Sequence, residues 1–281
     1  MVDYLVRLAK RFAVLIPGII IAYFSIHTVF PALDTRFPLT IAIFFTYVLG
    51  AYLLIPLLTR LARVFFPARH LPLYCVTPDG YASDPLNIGI IATRAELIAA
   101  MEAAGWYVAN RYSLANNTRV LIAAALNRPY PTAPMSNLYL FGRKQDIGFE
   151  IPIIGERGHR HHVRFWAASY EESEQLNVRQ LRWHDRTSQR KNKHLLWLGA
   201  ASKDVGFAII RHNVQVTHMI DPNTTAEREL IVEGLRGINS VKRTQTIRLR
   251  KPYRLKNRAL GGQLHSDGQL SVVTLRTPRR T

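Results

Sequence analysis

The chain has 281 residues and a net charge of +18, from 37 Lys and Arg against 19 Asp and Glu, with one cysteine. A lone cysteine, Cys75, excludes an internal disulfide framework and any multi-cysteine zinc site. The length fits one sizeable domain plus an appendage, and the basic excess favours polyanionic surroundings: nucleic acid, anionic lipid headgroups or phosphorylated ligands.

Two apolar stretches come first. Residues 12–30, "FAVLIPGIIIAYFSIHTVF", and 38–58, "PLTIAIFFTYVLGAYLLIPLL", contain no formally charged side chain. Each is close to the roughly 20 residues that cross a hydrocarbon core of about 30 Å. A cleaved signal peptide would explain the first and leave the second unexplained. The link "PALDTRF" is too short for a domain, so a transmembrane helical hairpin is predicted within a 1–69 anchor. His27, Pro17 and Pro56 are read as helix-end or packing residues. Arg7, Lys10 and Arg11 precede the first span, Arg60, Arg63 and Arg69 follow the second, and Arg36 in the link is opposed by Asp34. The positive-inside rule then places both termini in the cytoplasm, at a bacterial cytoplasmic (inner) membrane.

Residues 70–281 read as a cytoplasmic α+β domain with a largely antiparallel sheet and a few helices to one side. "LPLYCVT" and "LNIGIIAT" are predicted strands separated by the turn-rich "PDGYASDP". "TRAELIAAMEAAG" is a predicted helix with Thr93 and Glu96 at capping-box spacing and Gly105 as its stop. A second helix is expected over 113–126. "NLYLFGR" and "IGFEIPI" are expected to pair across "KQD", and "HHVRFW", "HLLWLGAAS", "VGFAIIR" and "VQVTHMI" follow as strands. "IDPNTTAERELIVEGL" opens a helix with Asp221 as N-cap and Pro222 in the first turn. The tail holds "QTIRLR" and a hairpin, "GQLHSDGQLSVVTL", turning at Asp267-Gly268.

Seven segments in order, "DPLNIGIIAT", "AAGWYVA", "SNLYLFGRKQDIGFE", "RHHVRFW", "WLGAASKDVGF", "THMIDPNTTAEREL" and "SDGQLSVVTL", resemble the LssY C-terminal-domain family. The resemblance covers about 71–275. In larger relatives this domain follows DedA-like or phosphatidic-acid-phosphatase-like membrane regions. It therefore implies membrane association and a partner of that kind, but it carries over no catalytic residues.

No G-x-S-x-G elbow, Walker loop, H-E-x-x-H or dinucleotide-binding glycine fingerprint is present, so no cofactor is implied. Cys75 is read as a core residue. In "ERGHRHHVRFW" (156–166), strand alternation puts His159, His161, Val163 and Phe165 on one face and Arg160, His162, Arg164 and Trp166 on the other. Such a strand supplies two zinc ligands at most, and the flanking arginines oppose a dication, so no metal is assigned. Two readings stay open: a strand facing an anion, or one paired with acids such as Glu150 or Asp146.

The anion-binding candidates are Arg143, His162, Arg164 and Arg228. His218 sits on the apolar side of "VQVTHMID", near Asp221 and Glu227, as a general base or a satisfied core histidine. Gln145, Asp146 and, in "SKDVG", Asp204 are assigned to turns. If these loops converge, Arg143, Asp146, His162, Arg164, Asp204, His218 and Asp221 form one polar cluster.

Two basic tracts, 179–194 with six Lys or Arg and one acid, and 241–258 with eight and none, remain. Arg250, Lys251, Arg254, Lys256 and Arg258 are the expected contacts with anionic lipid. Trp183 and Tyr253 could stack on bases, but no recognisable nucleic-acid module surrounds them, and nucleic acid is set aside. Three functions follow. One is an accessory domain binding anionic headgroups or phosphorylated envelope precursors. The second is a lipid phosphate or acyl ester hydrolase using His218 as base, Asp221 as orienter and Arg143 with Arg164 as oxyanion or phosphate donors. The third is an interaction domain without ligand.

Overall fold

The computed structural model describes residues 16, 19–55, 57, 71–78, 80–110, 113, 116, 119, 130, 132–153, 155, 159–169, 193–209, 216–256 and 263–276, with backbone alone at 169, 207–209, 216–218 and 256. The chain forms two compact units, Met1–Ala68 with Thr77–Tyr81 and Arg69–Val76 with Ala82–Thr281.

In the first unit the sequence gives two helical arms, as its apolar runs predict. Pro31 opens the helix Phe30–Asp34, and Phe37 N donates to Leu33 O at 2.9 Å to end it. The second arm is helical over Leu39–Val48 and continues as a π-helical segment, Leu49–Leu54. Small residues, Ser25, Ala42 and Ala51, are buried, whereas Ile19, Ile20, Tyr23, Ile26, Phe44 and Leu53 lie exposed. Residues 12–15, 17, 18, 56 and 58 of the expected spans at 12–30 and 38–58 lie outside the described residues. Among the described residues no helix is long and apolar enough to cross a membrane. Wider turns interrupt each arm, at Ser25–Val29 and at Leu49–Leu54.

The second unit is the α+β domain. Its strands are β1 (Tyr74–Val76), β2 (Ala82–Pro85), β3 (Ile88–Ala92), β4 (Tyr107–Val108), β5 (Tyr139–Leu140), β6 (Arg143–Lys144) and β7 (Ile147–Pro152), followed by β8 (His159–Ser169), β9 (Leu195–Ile209) and β10 (Val216–Ile220). The last four are β11 (Val241–Arg248), β12 (Tyr253–Lys256), β13 (Gln263–Ser266) and β14 (Gln269–Leu275). The helices are α1 (Arg94–Ala103) and α2 (Thr224–Gly237). An eight-stranded sheet runs β11-β14-β3-β9-β8-β7-β4, with β10 also against β9. Every pairing in it is antiparallel except β14 with β3. A smaller sheet has the order β2-β1-β5-β6.

Strand alternation sends neighbouring residues of β8 to different cores. Phe165 packs with Phe149, Trp197 and the helix residues Leu97, Met101, Ile231 and Leu235. Trp166 packs with Leu196, Leu198 and Val272, and with Cys75, Leu86 and Leu140 around the small sheet. The large sheet is thus the middle layer of three. Burying each large apolar side chain contributes about 1.5–3 kcal/mol. Cys75 lies in the second core, with burial pushing its thiol pKa well up, and its Sγ donates to Asp84 O at 3.3 Å.

The capping box forms as read: Thr93 Oγ1 accepts from Glu96 N at 3.2 Å and Glu96 Oε2 accepts from Thr93 N at 2.8 Å. Four local expectations change. The tail hairpin expected across Asp267-Gly268 does not form, because β13 pairs with β12 whereas β14 pairs with β11 and β3. "NLYLFGR" folds on itself, β5 against β6, because Phe141 and Gly142 both adopt positive φ (54° and 75°). That pairing of dihedrals makes a tight hairpin turn and leaves β7 to pair with β8. "SKDVG" does not turn: Lys203, Asp204 and Val205 pair with His161, Arg160 and His159, so β9 runs unbroken for 15 residues. The N-cap of α2 is Asn223, whose side chain accepts from Ala226 N, rather than Asp221. Beyond 113, 116 and 119, the helix expected over 113–126 lies outside the described residues.

Candidate functional site

Toward one end of the face covered by the small sheet, charge replaces apolar packing. Arg160, His162 and Arg164 alternate along β8 with the side chains of the helix-facing core. Cross-strand register then sets Glu150 of β7 and Ser202 of β9 on either side of His162, and Asp204 beside Arg160. Asp84 joins them from β2. Asp84, Glu150, His162, Arg164, Ser202 and Asp204 are all buried.

The ion pairs are specific. Arg160 spans two strands, Nη1 donating to Glu150 Oε2 at 2.6 Å and Nε to Asp204 Oδ2 at 2.8 Å. Arg164 Nη1 donates to Asp84 Oδ2 at 2.8 Å, and its other nitrogens reach Ser136 O and Oγ at 3.4 Å. His162 places Nε2 at 3.4 Å from Asp84 Oδ2 and Nδ1 at 3.4 Å from Asp204 Oδ1. The second contact is close without the geometry of a hydrogen bond. Glu150 Oε1, His162 Nδ1 and Ser202 Oγ are buried with no hydrogen-bond partner among the described residues.

Electrostatics divide the carboxylates. Burial pushes the Asp84 carboxyl up, but the hydrogen bond with His162 and the charges of Arg164 and His162 outweigh it and hold its pKa below 3.8. Burial dominates at Glu150 and, despite Arg160, raises its pKa from 4.5 to about 7. For Arg160 burial acts downward, while Glu150 and Asp204 more than compensate and raise its pKa. Chemically, both guanidinium groups are committed to carboxylates, so this arrangement does not present them as free cations to an anion.

Three of the other candidates make bonds elsewhere in the domain. Arg143 Nη2 donates to Asp146 Oδ2 at 2.9 Å and to Ala167 O, while Asp146 Oδ2 accepts from Ala167 N at 2.9 Å, so this pair clips strand ends. Arg228 of α2 grips Asp267 in the β13–β14 turn, at 3.0 Å from Nη1 and 2.9 Å from Nη2. Asp221 Oδ1 accepts from Asn223 N at 2.8 Å, turning the chain into α2. His218 lies on β10 opposite Phe207, and its side chain falls outside the described residues. On the opposite face of β8, His161 Nδ1 meets Glu227 Oε2 at 2.8 Å, tying the sheet to α2. Among the described residues no group of three or more His, Cys, Asp or Glu could hold a metal ion.

Arg250, Lys251 and Arg254 are exposed, as are Lys242, Arg243 and Arg248 on β11, which is an edge strand. Lys256 is placed by its backbone in β12, and Arg258, Trp183 and the tract 179–192 lie outside the described residues. Sequence reasoning missed Asp84 and Ser202 as members of the cluster. Asp84 sits in a turn-like composition and Ser202 in an apolar strand. The available signal was the Arg160, His162, Arg164 alternation, which needs buried carboxylates if that face is covered.

These features define a three-layer α+β domain with an ionic core beside an apolar one. The chain belongs to the LssY C-terminus family, whose model matches residues 68–270. No curated protein and no solved structure matches it.

Proposed function

We propose that the chain is a membrane-anchored accessory domain that binds anionic phospholipid headgroups or phosphorylated envelope precursors. In this reading, residues 1–69 hold it in the bacterial cytoplasmic membrane with both termini cytoplasmic, beside a DedA-like or phosphatidic-acid-phosphatase-like membrane protein. The observation that carries the reading is the basic edge: eight Lys or Arg and no acid over 241–258, with Lys242, Arg243, Arg248, Arg250, Lys251 and Arg254 exposed. Cations near an anionic leaflet contribute on the order of 1 kcal/mol each. The exposed Ile, Phe and Leu of the helical arms support the anchor, since apolar patches of that kind mark lipid or protein contact.

A hydrolase built on His218, Asp221, Arg143 and Arg164 draws no support from the bonds those arginines make. The test is capture of anionic vesicles by the full-length chain reconstituted in zwitterionic nanodiscs. Capture should fall steeply with salt and with the combined R250Q, K251Q and R254Q substitutions. Capture insensitive to both would sink the reading.

A further inference from the structure

The ionic core contains three carboxylates (Asp84, Glu150, Asp204), two guanidinium groups (Arg160, Arg164) and one imidazole (His162). With all three acids ionised and the imidazole neutral, one negative charge is left over. An unbalanced charge away from water is strongly disfavoured, and one added proton removes it. Two groups are placed to take that proton. Glu150 uses Oε2 for Arg160 and leaves Oε1 bare, while His162 leaves Nδ1 bare. They are direct cross-strand neighbours on the covered face, with the bare hydroxyl of Ser202 on the far side of His162.

We infer that Glu150 and His162 share one exchangeable proton, and that its loss loosens the docking of the small sheet onto the large one. The link to docking is Asp84, the residue of the small sheet bonded to both His162 and Arg164. In one limit the proton sits on Glu150, and neutral His162 donates through Nε2 to Asp84. In the other it sits on His162, whose two nitrogens then bridge Asp84 and Asp204, and ionised Glu150 pairs with Arg160. Both limits are neutral overall. Removing the proton leaves Asp84, Glu150 and Asp204 facing two cations.

The groups facing the pair from each neighbouring element are accounted for. Asp84 comes from β2, Arg160 and Arg164 from β8, and Ser202 and Asp204 from β9. Tyr107 of β4 stands opposite Glu150 and is half exposed. Cys75, bonded to the backbone of Asp84, keeps its thiol proton because burial disfavours the thiolate. The raised pKa of Glu150, about 7, agrees with a proton held near neutrality.

The experiment follows both sites in the full-length, detergent-solubilised chain. Infrared difference spectra with carbon-13 glutamate report the carboxyl, and nitrogen-15 histidine resonances report the imidazole. A shared proton leaves in one step with the same midpoint at both probes, as coupled sites do. E150Q should remove the carboxyl signal and change the pH response of the His162 resonances, because the cluster is then balanced without an imidazolium. In wild type, hydrogen exchange over 74–76 and 82–85, corrected for intrinsic rates, should quicken as pH rises through that midpoint. Titration of the carboxyl and imidazole probes in two separate steps overturns the inference. So does an exchange profile for β1 and β2 that does not change through the midpoint. The wild-type spectra decide the case even if E150Q fails to fold.

Discussion

Arg160 holds Glu150 and Asp204 at once, one donor to each, across three adjacent strands of the large sheet. Neither acid has water to fall back on, since both are buried. Removing the guanidinium therefore strands two charges rather than one bond. Arg160→Met is expected to destabilise the chain by about 3–5 kcal/mol, the range for breaking a buried pair. Chemical denaturation of the full-length chain checks it. Arg254→Met, at an exposed site, serves as the control and should stay within about 0.5 kcal/mol.

The pH dependence follows from the two shifted acids. Glu150 has a folded pKa of about 7 against 4.5 unfolded, so the folded state binds more proton between those values. Stability should then fall as pH rises from 4.5 to 7, by on the order of 3 kcal/mol. Asp84 works in the opposite sense: its depressed pKa gives stability that is present above 3.8 and lost as pH falls further. Thermal melts across pH 3 to 8 should show both limbs. Glu150→Gln should abolish the upper one and leave the acid limb.

A packing prediction comes from Gly199, which lies opposite both Phe165 and Ile88 in β9. A Cβ there would stand 2.5 Å from Ile88 Cγ2 and 2.6 Å from Phe165 Cε1. Gly199→Ala is expected to cost about 1–3 kcal/mol through overpacking, measured as a lower denaturation midpoint.

Across the other face, His161 and Glu227 connect the sheet to α2 at 2.8 Å. Glu227→Ala leaves His161 without that carboxylate and should raise hydrogen exchange in the first turns of α2, with the strand order intact. Unchanged exchange in α2 would mean that the apolar contacts of Ile231 and Leu235 hold the helix alone.

Much of the fold was legible because it rests on local chemistry. The Thr93 and Glu96 capping box and the alternation along β8 are each written within a few residues. The split of His161 from His162 could be read the same way. What could not be read depends on partners distant in sequence. Asp204 looked like a turn residue until β8 paired with it through Arg160, 44 positions earlier. Asp84 lies 80 positions from Arg164.

The most direct measurement is hydrogen exchange of the full-length chain in nanodiscs of anionic or zwitterionic lipid, read over 241–256. A basic edge that binds anionic headgroups should be protected in the anionic discs, and the protection should disappear at high salt. Equal exchange in both lipids at low salt would contradict the account and leave the exposed cations as a guard on an edge strand.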